Sequence, residues 1–299
     1  MQSTLLTNLL LPLALGVIML GLGLGLTLDD FRRVARYPRA VLTGLVLQTA
    51  VLPWVALGLA LVFGLPAELA VGLMLLAASP GGATANIYSH LARGDVALNI
   101  TLTAINSVLA LVTLPLILGL SLEFFLGSEQ YVPPPVRKIV EVALLILLPV
   151  GIGMALRRWI PGFASRMERP VRAVAVLVLV LLIATVVAQE WRTLVDYFAV
   201  VGIACLLFNL ISMGLGYTAP RALRLPRRQA LAIAMEIGIH NGTLAIFIAL
   251  NVLQNPTMSV PAAVYSLLMF FTAAAFAWWS VTRADGRENG GRANGRGGN

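Results

Sequence analysis

One acidic side chain lies deep inside an apolar run of the sequence. It is Glu236, within Met235-Glu236-Ile237-Gly238-Ile239-His240-Asn241-Gly242-Thr243. A carboxylate at membrane depth is costly unless it is paired or solvated. Because no lysine or arginine lies inside an apolar run to pair with Glu236, a bound cation or a proton is its natural partner. A structural, hydrogen-bonded glutamic acid is the alternative.

Helix breakers interrupt two apolar runs near their middle. One break is the Glu236 segment, and the other reads Ser79-Pro80-Gly81-Gly82-Ala83-Thr84-Ala85-Asn86. Proline removes a backbone hydrogen bond, and glycine weakens a helix further. Non-helical backbone survives at membrane depth only where protein or a water-filled cavity satisfies it. Two such breaks point to a binding site between repeats, with simple kinks as the alternative.

The two interrupted runs also share their spacing. Each opens with Leu-Pro, at Pro66 and Pro226, and each reaches its break at the same distance from that proline, at Gly81 and Asn241. The charges of the loops predict that the two runs cross the membrane in opposite directions. The sequence therefore predicts an inverted internal repeat.

A polar stripe follows the first break. Asn99, Thr103, Asn106 and Ser107 fall on one face of a predicted helix, facing a partner helix or a cavity. Together with Glu236 they offer oxygen ligands, which suit a small hard cation such as sodium. Half-helices that begin near Gly82 and Asn241 would favour an anion. The pattern indicates a cation-coupled carrier of an anion.

Composition requires that lipid surrounds the elements holding these residues. Of 299 residues, 59% are hydrophobic and 11% are charged, against about 25% charged in soluble domains. The apolar runs are long and continuous, which predicts an all-α membrane protein. Nine spans are predicted, at 4–28, 39–63, 67–91, 96–120, 137–157, 171–188, 195–218, 228–250 and 259–282.

Basic residues alternate between the two sides of these spans. One set of loops carries 18 of the 21 basic residues, and the other set carries only Arg137, Lys138 and Arg192. By the positive-inside rule, this predicts an outside N-terminus and a cytoplasmic C-terminus in the inner (plasma) membrane. The net charge of +8 thus reflects topology rather than binding to nucleic acid. The one cysteine, Cys205, excludes a disulfide framework.

At the two breaks the sequence resembles the bile acid:sodium symporter family. The matching stretches are Gly25-Leu26-Thr27-Leu28, Pro80-Gly81-Gly82 through Asn86, Leu91 to Leu98, and Glu236 to Gly242. The resemblance implies crossing discontinuous helices and inverted repeats. It also implies a transporter domain at 1–284, with a core (39–120 and 195–282) and a panel (4–28 and 137–188). Residues 285–299 are expected to form a disordered cytoplasmic tail.

The resemblance also implies two sodium sites. The first would use Asn86, Asn99, Thr103 and Glu236. The second would use Gln48, Glu236, Ile237, Ile239 and His240. This chain departs from the family pattern at Ala85 and His240, where serine and glutamine are usual, and at Asn99, where serine is common. Because imidazole titrates near neutral pH, we hypothesise that the second site is weakened or partly proton-linked.

These features predict sodium-coupled symport of an organic anion by alternating access, with no catalytic residues and no cofactor besides the coupling ions. The anion, of bile-acid, keto-acid, pantoate-like or sulfonated type, would be held by Gly82, Ala83, Thr84, Asn241 and Gly242. A proton-coupled carrier and an arsenite-type exporter are the alternatives. The latter should have a cysteine at the first break, where none stands. A membrane enzyme, a channel and a sensor are further classes, and the oligomeric state stays open.

Overall fold

A computed structural model of the chain describes residues 11–82, 84–127 and 136–294. In these residues the regular secondary structure is helical, apart from one isolated bridge between Gly81 and His240. The helices are α1 (Leu11–Gly25), α2 (Leu28–Arg32), α3 (Pro38–Val62), α4 (Ala67–Ala78), α5 (Ala85–Leu91), α6 (Val96–Leu126), α7 (Val136–Trp159), α8 (Pro161–Gln189), α9 (Trp191–Ala222), α10 (Arg227–Gly238), α11 (Gly242–Phe247) and α12 (Val260–Asn294).

The predicted class, an all-α membrane protein, is confirmed. Within the described residues, five stretches are long and apolar enough to cross a membrane: α3, α6, α8, α9 and the stretch Thr257–Thr282. Large apolar side chains cover the outside, with Trp54 exposed to 73% and Phe271 to 76%. Such a surface needs lipid around it. The count of nine spans stays a prediction.

Both interrupted runs fold as broken helices. The first is split between α4, which ends at Ala78, and α5, which begins at Ala85. The second is split between α10, which ends at Gly238, and α11, which begins at Gly242. Helix α5, the second half of the first broken helix, therefore starts later than the predicted Gly82, because Thr84 is its N-cap residue. Helix α11, the second half of the other broken helix, starts directly after the predicted Asn241.

Local geometry recurs in the two halves of the chain. Helices α4 and α10 each have 12 residues and follow a proline with the same backbone conformation: φ −50° and ψ 145° at Pro66, φ −55° and ψ 145° at Pro226. Shortly before these prolines, Gly64 and Arg224 both take positive φ, 58° and 61°. Arginine rarely takes a left-handed backbone conformation. The positive φ that Arg224 shares with Gly64 therefore indicates that the same type of turn precedes both prolines. The inverted repeat itself stays a prediction.

The helices pack as two groups. Helices α1, α7 and α8 contact one another and form what we call the three-helix layer. The other group, the main bundle, contains α3 to α6 and α9 to α12, with α10 packed against α3, α5, α6 and α9. The layer is tight because Gly23 of α1 meets the backbone of Val150, and Gly153 of α7 meets the backbone of Leu20. The two groups coincide with the predicted panel and core, a division that stays a prediction.

Two helix ends differ from the sequence-based bounds. Helix α8 begins at Pro161, well before the predicted span that starts at 171. Helix α12 runs to Asn294, past the boundary at 285 where a disordered tail was predicted, and residues 295–299 lie outside the described part. Hydropathy marks only the part of a helix that lies in lipid, and a helix can continue beyond it into polar sequence.

Candidate functional site

The two breaks meet and pair with each other. The amide of Gly82 donates to the carbonyl of Ile239 at 2.8 Å, and the amide of Asn241 donates to the carbonyl of Pro80 at 2.8 Å. Gly81 and His240 face each other between these bonds in an antiparallel bridge. Backbone groups freed by the breaks therefore find protein partners, as a membrane interior requires.

Glu236 lies one turn before this crossover and is fully buried. Its Oε2 accepts a hydrogen bond from the Thr103 hydroxyl at 2.6 Å, and its Oε1 accepts one from Asn106 Nδ2 at 3.3 Å. Both donors belong to the polar stripe predicted on α6. Gly81 fits against the carboxylate so closely that a Cβ at this position would overlap Oε1. The stripe, the carboxylate and the first break thus form one cluster.

Several buried oxygens on the helices that pack against α10 have no hydrogen-bond partner in the described residues. Asn99 donates its Nδ2 to the carbonyl of Ala232 at 2.7 Å, which leaves Asn99 Oδ1 as an unpaired acceptor. In the described part of the chain, the Oδ1 atoms of Asn86 and Asn106 are buried and unpaired as well. An unpaired buried acceptor costs stability. Carbonyl-type oxygens of this kind are ligands for hard cations.

Gln48 reaches the first break from α3, where residues Leu47–Val51 form a π-helical turn. Such turns often occur at functional sites, because they change the direction of one side chain. Gln48 Nε2 donates to the carbonyls of Ser79 at 3.0 Å and Ala77 at 3.3 Å. Its Oε1 is buried without a partner. The amide thus holds the break with its donor end and leaves its acceptor end available.

His240 is 1% exposed and lies beside Gln48. Its Nδ1 is 3.1 Å from the carbonyl oxygen of Ser79 and 3.4 Å from Gln48 Nε2. Since both hydrogens of Gln48 Nε2 are already donated to carbonyls, we infer that Nδ1 carries a proton and donates it to Ser79. In the neutral ring Nε2 then carries a lone pair and no proton, and it has no hydrogen-bond partner in the described residues. Phe208 stacks on the ring at 5.5 Å.

The predicted anion-binding residues surround a small cavity. Gly82, Thr84, Asn241 and Gly242 line about 60 Å³ of space beside α1 and α8, and Ala83 lies outside the described residues. The amides of Gly82 and Asn241 are engaged in the crossover, and that of Gly242 donates to the carbonyl of His240 at 3.0 Å. The side chains of Thr84, Asn241 and Thr243 are therefore better placed than those amides to contact an anion.

A larger cavity of about 360 Å³ lies next to the small one. Both cavities are lined by Ile18, Leu22 and Ala175 of the three-helix layer. The larger one continues past Asn86 to His90 and Glu168, toward the loops that carry most of the arginines. The two cavities together follow the boundary between the three-helix layer and the main bundle.

The structure brings most of the predicted sodium ligands together at the crossover and adds residues that the sequence did not single out. Ile237 and Ile239 are fully buried beside Glu236. The additions are Asn209 and Tyr265, which donate to the carbonyl of Gly238. Asn106, a member of the predicted stripe, is found to donate to Glu236. The spacing that relates the two Leu-Pro segments is a signal that could have pointed to Asn209.

Paired broken helices around a buried carboxylate, inside a lipid-facing helical bundle, define a membrane transporter. The profile of the Sodium Bile acid symporter family matches residues 12–197. The chain belongs to this family. It is accordingly a transporter of the sodium-dependent class and not an enzyme.

Similar proteins come from bacteria, plants and animals. The uncharacterized sodium-dependent transporter YocS of Bacillus subtilis is 30% identical over 268 residues, which cover 89% of this chain and 81% of the relative. A probable chloroplastic sodium/metabolite cotransporter, BASS2 of Oryza sativa subsp. japonica, is 29% identical over 90% of this chain and 63% of its own length. The sodium/bile acid cotransporter 4 of Mus musculus is 27% identical over 78% of this chain and 54% of its own length.

Proposed function

We propose that this protein carries an organic anion across the membrane together with sodium, by alternating access. The observation that carries the proposal is the set of buried, unpaired acceptor oxygens on α3, α5 and α6, the helices that pack against the helix of Glu236. Hydrogen-bond donors do not fill these positions, whereas a cation would satisfy several at once. A carboxylate among neutral oxygen ligands also gives such a site the charge needed to hold sodium.

Two sodium sites fit these atoms. In the first, the oxygens of Asn86, Asn99, Thr103 and Glu236 would bind the ion. In the second, Gln48 Oε1, Glu236 and His240 would act with the carbonyls of Ile237 and Ile239. The carbonyl of Ile239 already accepts from Gly82, but a carbonyl oxygen has a second lone pair for an ion. His240 Nε2 is the weak ligand of the set, because imidazole suits softer metals than sodium.

The charged group of the anion would bind in the small cavity at the crossover, and the rest of the molecule would extend into the adjoining larger cavity. Asn241 Oδ1 accepts from the amide of Leu244 at 3.1 Å, so its Nδ2 remains as a donor for the substrate. The hydroxyls of Thr84 and Thr243 are two further donors, and apolar side chains such as Met19 and Leu179 line the rest. An amphipathic organic anion suits this lining. Relatives named for bile acid and for metabolites are consistent with that class.

Alternating access would arise from movement of the main bundle against the three-helix layer. The cavities lie along this boundary, and the larger cavity leads toward the arginine-rich loops. By the positive-inside rule these loops are cytoplasmic. On this proposal the protein lies in an inner membrane with its C-terminus inside, and the larger cavity would give access to the crossover from the cytoplasmic side.

Uptake into proteoliposomes tests the proposal. Radiolabelled taurocholate, pantoate and pyruvate are offered with an inward sodium gradient or a matched potassium gradient. We expect sodium-dependent uptake of at least one anion, and its loss in Glu236→Gln. Glu123→Gln is the matched control, because Glu123 is an exposed residue of α6, the helix that supplies the stripe.

The alternatives give other results. Uptake that follows a pH gradient and ignores sodium would replace sodium with a proton at Glu236. Transport of arsenite would indicate the exporter, although Cys205 lies in α9 with its thiol on the carbonyl of Pro261 at 3.5 Å rather than at a break. Uptake that is unchanged in Glu236→Gln would overturn the proposed role of the carboxylate.

A further inference from the structure

The second break is held by side chains that no sodium site includes. Gly238 is the last residue of α10, so its carbonyl lacks a helical partner. It accepts hydrogen bonds from Asn209 Nδ2 of α9 at 2.8 Å and from the Tyr265 hydroxyl of α12 at 2.9 Å. Both side chains are fully buried. Two helices of the main bundle therefore fix one carbonyl at the break.

The hydrogens of this group are fully assigned. Asn209 Nδ2 has two hydrogens, of which one goes to Gly238 and the other to the Tyr265 oxygen at 2.9 Å. The Tyr265 hydroxyl has one hydrogen, and Gly238 accepts it. The Gly238 oxygen thus uses both lone pairs. A network closed in this way holds its members in a single arrangement.

Tyr265 also contacts the neighbouring histidine. Its ring lies edge-on to the imidazole of His240, with the ring centroids 5.4 Å apart. One side chain therefore touches both the carbonyl before Ile239 and the residue after it. Any displacement of Tyr265 would be transmitted to the backbone between Gly238 and His240.

Asn209 occupies the place in the second half of the chain that Gln48 occupies in the first. Helices α3 and α9 end at Val62 and Ala222, and these two ends are separated along the chain by the same interval as Pro66 and Pro226. The π-helical turn at Leu47–Val51 adds one residue to α3. Counting back from the two helix ends, with allowance for this extra residue, Gln48 corresponds to Asn209.

The two amides also behave alike. Each is buried, donates from its NH₂ group to backbone carbonyl oxygen at the end of the nearby half-helix, and leaves its own oxygen unpaired in the described residues. Gln48 has two such acceptors, whereas Asn209 has one and also donates to the Tyr265 hydroxyl. Gln48 hydrogen-bonds to the C-terminal end of α4, and Asn209 hydrogen-bonds to the C-terminal end of α10. The correspondence in sequence position and in chemistry supports a shared task at the two breaks.

We propose that Asn209 and Tyr265 are positioning residues that set the affinity for the coupling cation. They fix the Gly238 carbonyl and thereby aim the flanking carbonyls of Ile237 and Ile239 at the ion. This inference rests on the proposed sodium sites. Neither side chain binds the ion, so their loss weakens binding without removing a ligand.

Thermal unfolding of the purified, full-length protein tests this without knowledge of the anion. A ligand that binds only the folded state raises the melting temperature as its concentration rises. Melting is followed while NaCl replaces choline chloride at constant ionic strength, which gives a half-saturating sodium concentration. A purely structural residue changes the melting temperature in choline but leaves this concentration unchanged.

Tyr265→Phe removes one hydroxyl and keeps the ring on His240. We expect it to raise the half-saturating sodium concentration roughly 2- to 10-fold, which is the effect of losing the one hydrogen bond from Tyr265 to the Gly238 carbonyl. The bond from Asn209 Nδ2 to the hydroxyl is lost with it. Asn209→Ala removes two bonds of the network and should raise it at least as much. If Asn209→Ala does not fold, Tyr265→Phe still decides the question.

Two controls remove similar groups elsewhere. Ser212→Ala deletes a buried hydroxyl on α9 that bonds only to its own helix, at Phe208, at 2.6 Å. Tyr217→Phe deletes a hydroxyl from a ring that packs on Phe276 and Trp279. Both controls should keep the wild-type sodium concentration.

The outcomes separate the two proposals. If sodium stabilises the wild type and neither Tyr265→Phe nor Asn209→Ala changes the half-saturating concentration, the positioning role is wrong and the sodium site stands. If sodium does not stabilise the wild type, the sodium site fails, and the positioning role fails with it.

Discussion

Gly81 and Glu236 come from the two different broken helices, and the α-carbon of one lies against the carboxylate of the other. A methyl group on Gly81 would overlap Glu236 Oε1. The contact links the first break to the acidic residue of the second broken helix. The glycine is therefore needed for space, since Gly81 is not among the residues with left-handed backbone.

Gly81→Ala should displace the carboxylate and weaken sodium binding strongly. We expect loss of the sodium-dependent rise in melting temperature, because a shift of the carboxylate away from Asn106 and Thr103 disassembles the site. Gly58→Ala is the control, because no atom lies within 4 Å of a Cβ placed there in α3. A Gly81→Ala variant with wild-type sodium affinity would show that the carboxylate moves without consequence.

Asn106→Leu should reduce sodium affinity, although Asn106 is not among the ligands that the family resemblance implies. The substitution removes the donor at 3.3 Å from Glu236 Oε1, so the carboxylate loses one of the groups that orient it. A hydrogen bond to a charged group contributes roughly 1.5–3 kcal/mol, which corresponds to a loss of affinity of about tenfold or more. Sodium titration of melting measures it. Ser121→Ala, which removes a hydroxyl bonded within α6, should have no effect.

His240→Gln should strengthen sodium binding. An amide oxygen is a better sodium ligand than a neutral imidazole, and a protonated imidazole would repel the ion. Half-saturating sodium is compared at pH 6 and pH 8, and the hypothesis of a proton-linked second site requires that the difference between the two pH values be smaller in this variant than in the wild type. Glu236 is the other titratable group of the site and is unchanged in this variant.

His90→Gln is the control for that substitution, because His90 is exposed at the far end of the larger cavity. If His240→Gln leaves both the sodium affinity and its pH dependence as they are in the wild type, the hypothesis of a weakened, proton-linked second site is wrong. His240 would then serve only to hold Ser79 and the crossover.

Thr84→Val and Thr243→Val should raise KM for the anion and leave sodium binding intact. Both hydroxyls line the small cavity, whereas the nearby amides of Gly82 and Asn241 are already bonded within the crossover. Loss of one hydrogen bond to a charged substrate should raise KM roughly tenfold. Thr185→Val on α8 is the control, since its hydroxyl bonds to Leu181 on an exposed face. Unchanged uptake in both variants would place the anion elsewhere.

The sequence was sufficient to predict the class and the breaks because both depend on local chemistry. Lipid-length apolar runs fix helices, and proline and glycine at membrane depth fix interruptions. Glu236 and the stripe at Thr103 and Asn106 were also found, because polar groups in apolar runs are conspicuous. The hydrogen bonds from Thr103 and Asn106 to Glu236 could not be predicted from the sequence, since they depend on the angle at which α6 crosses α10.

Other parts of the site needed coordinates. The backbone amides of Gly82 and Asn241 were predicted to bind the anion, but they donate to Ile239 and Pro80. No local sequence pattern shows which acceptor the amide of a broken helix will find. Asn209 and Tyr265 are single polar residues on otherwise ordinary helices, where hydrogen bonding between helices is the default expectation. The π-helical turn in α3 lies just before Pro53, which lacks an N–H for the helix, but the sequence does not show that this turn brings Gln48 to the first break.

Gly23→Val should destabilise the three-helix layer and leave the sodium site unaffected. A Cβ on Gly23 would come within 2.9 Å of the carbonyl carbon and α-carbon of Val150, so α1 would have to move away from α7. Overpacking of this kind costs roughly 1–3 kcal/mol, which should appear as a lower melting temperature in choline. Gly151→Val is the control on α7, because no atom lies within 4 Å of its Cβ position.

Both glycine variants should keep the wild-type half-saturating sodium concentration, since the Glu236 cluster belongs to the main bundle. Uptake of the anion should fall in Gly23→Val alone, because the substrate cavity lies between α1 and the crossover. A weaker sodium affinity in Gly23→Val would show that the layer and the bundle are coupled already in the absence of substrate. The division into a fixed layer and an ion-binding bundle would then have to be abandoned.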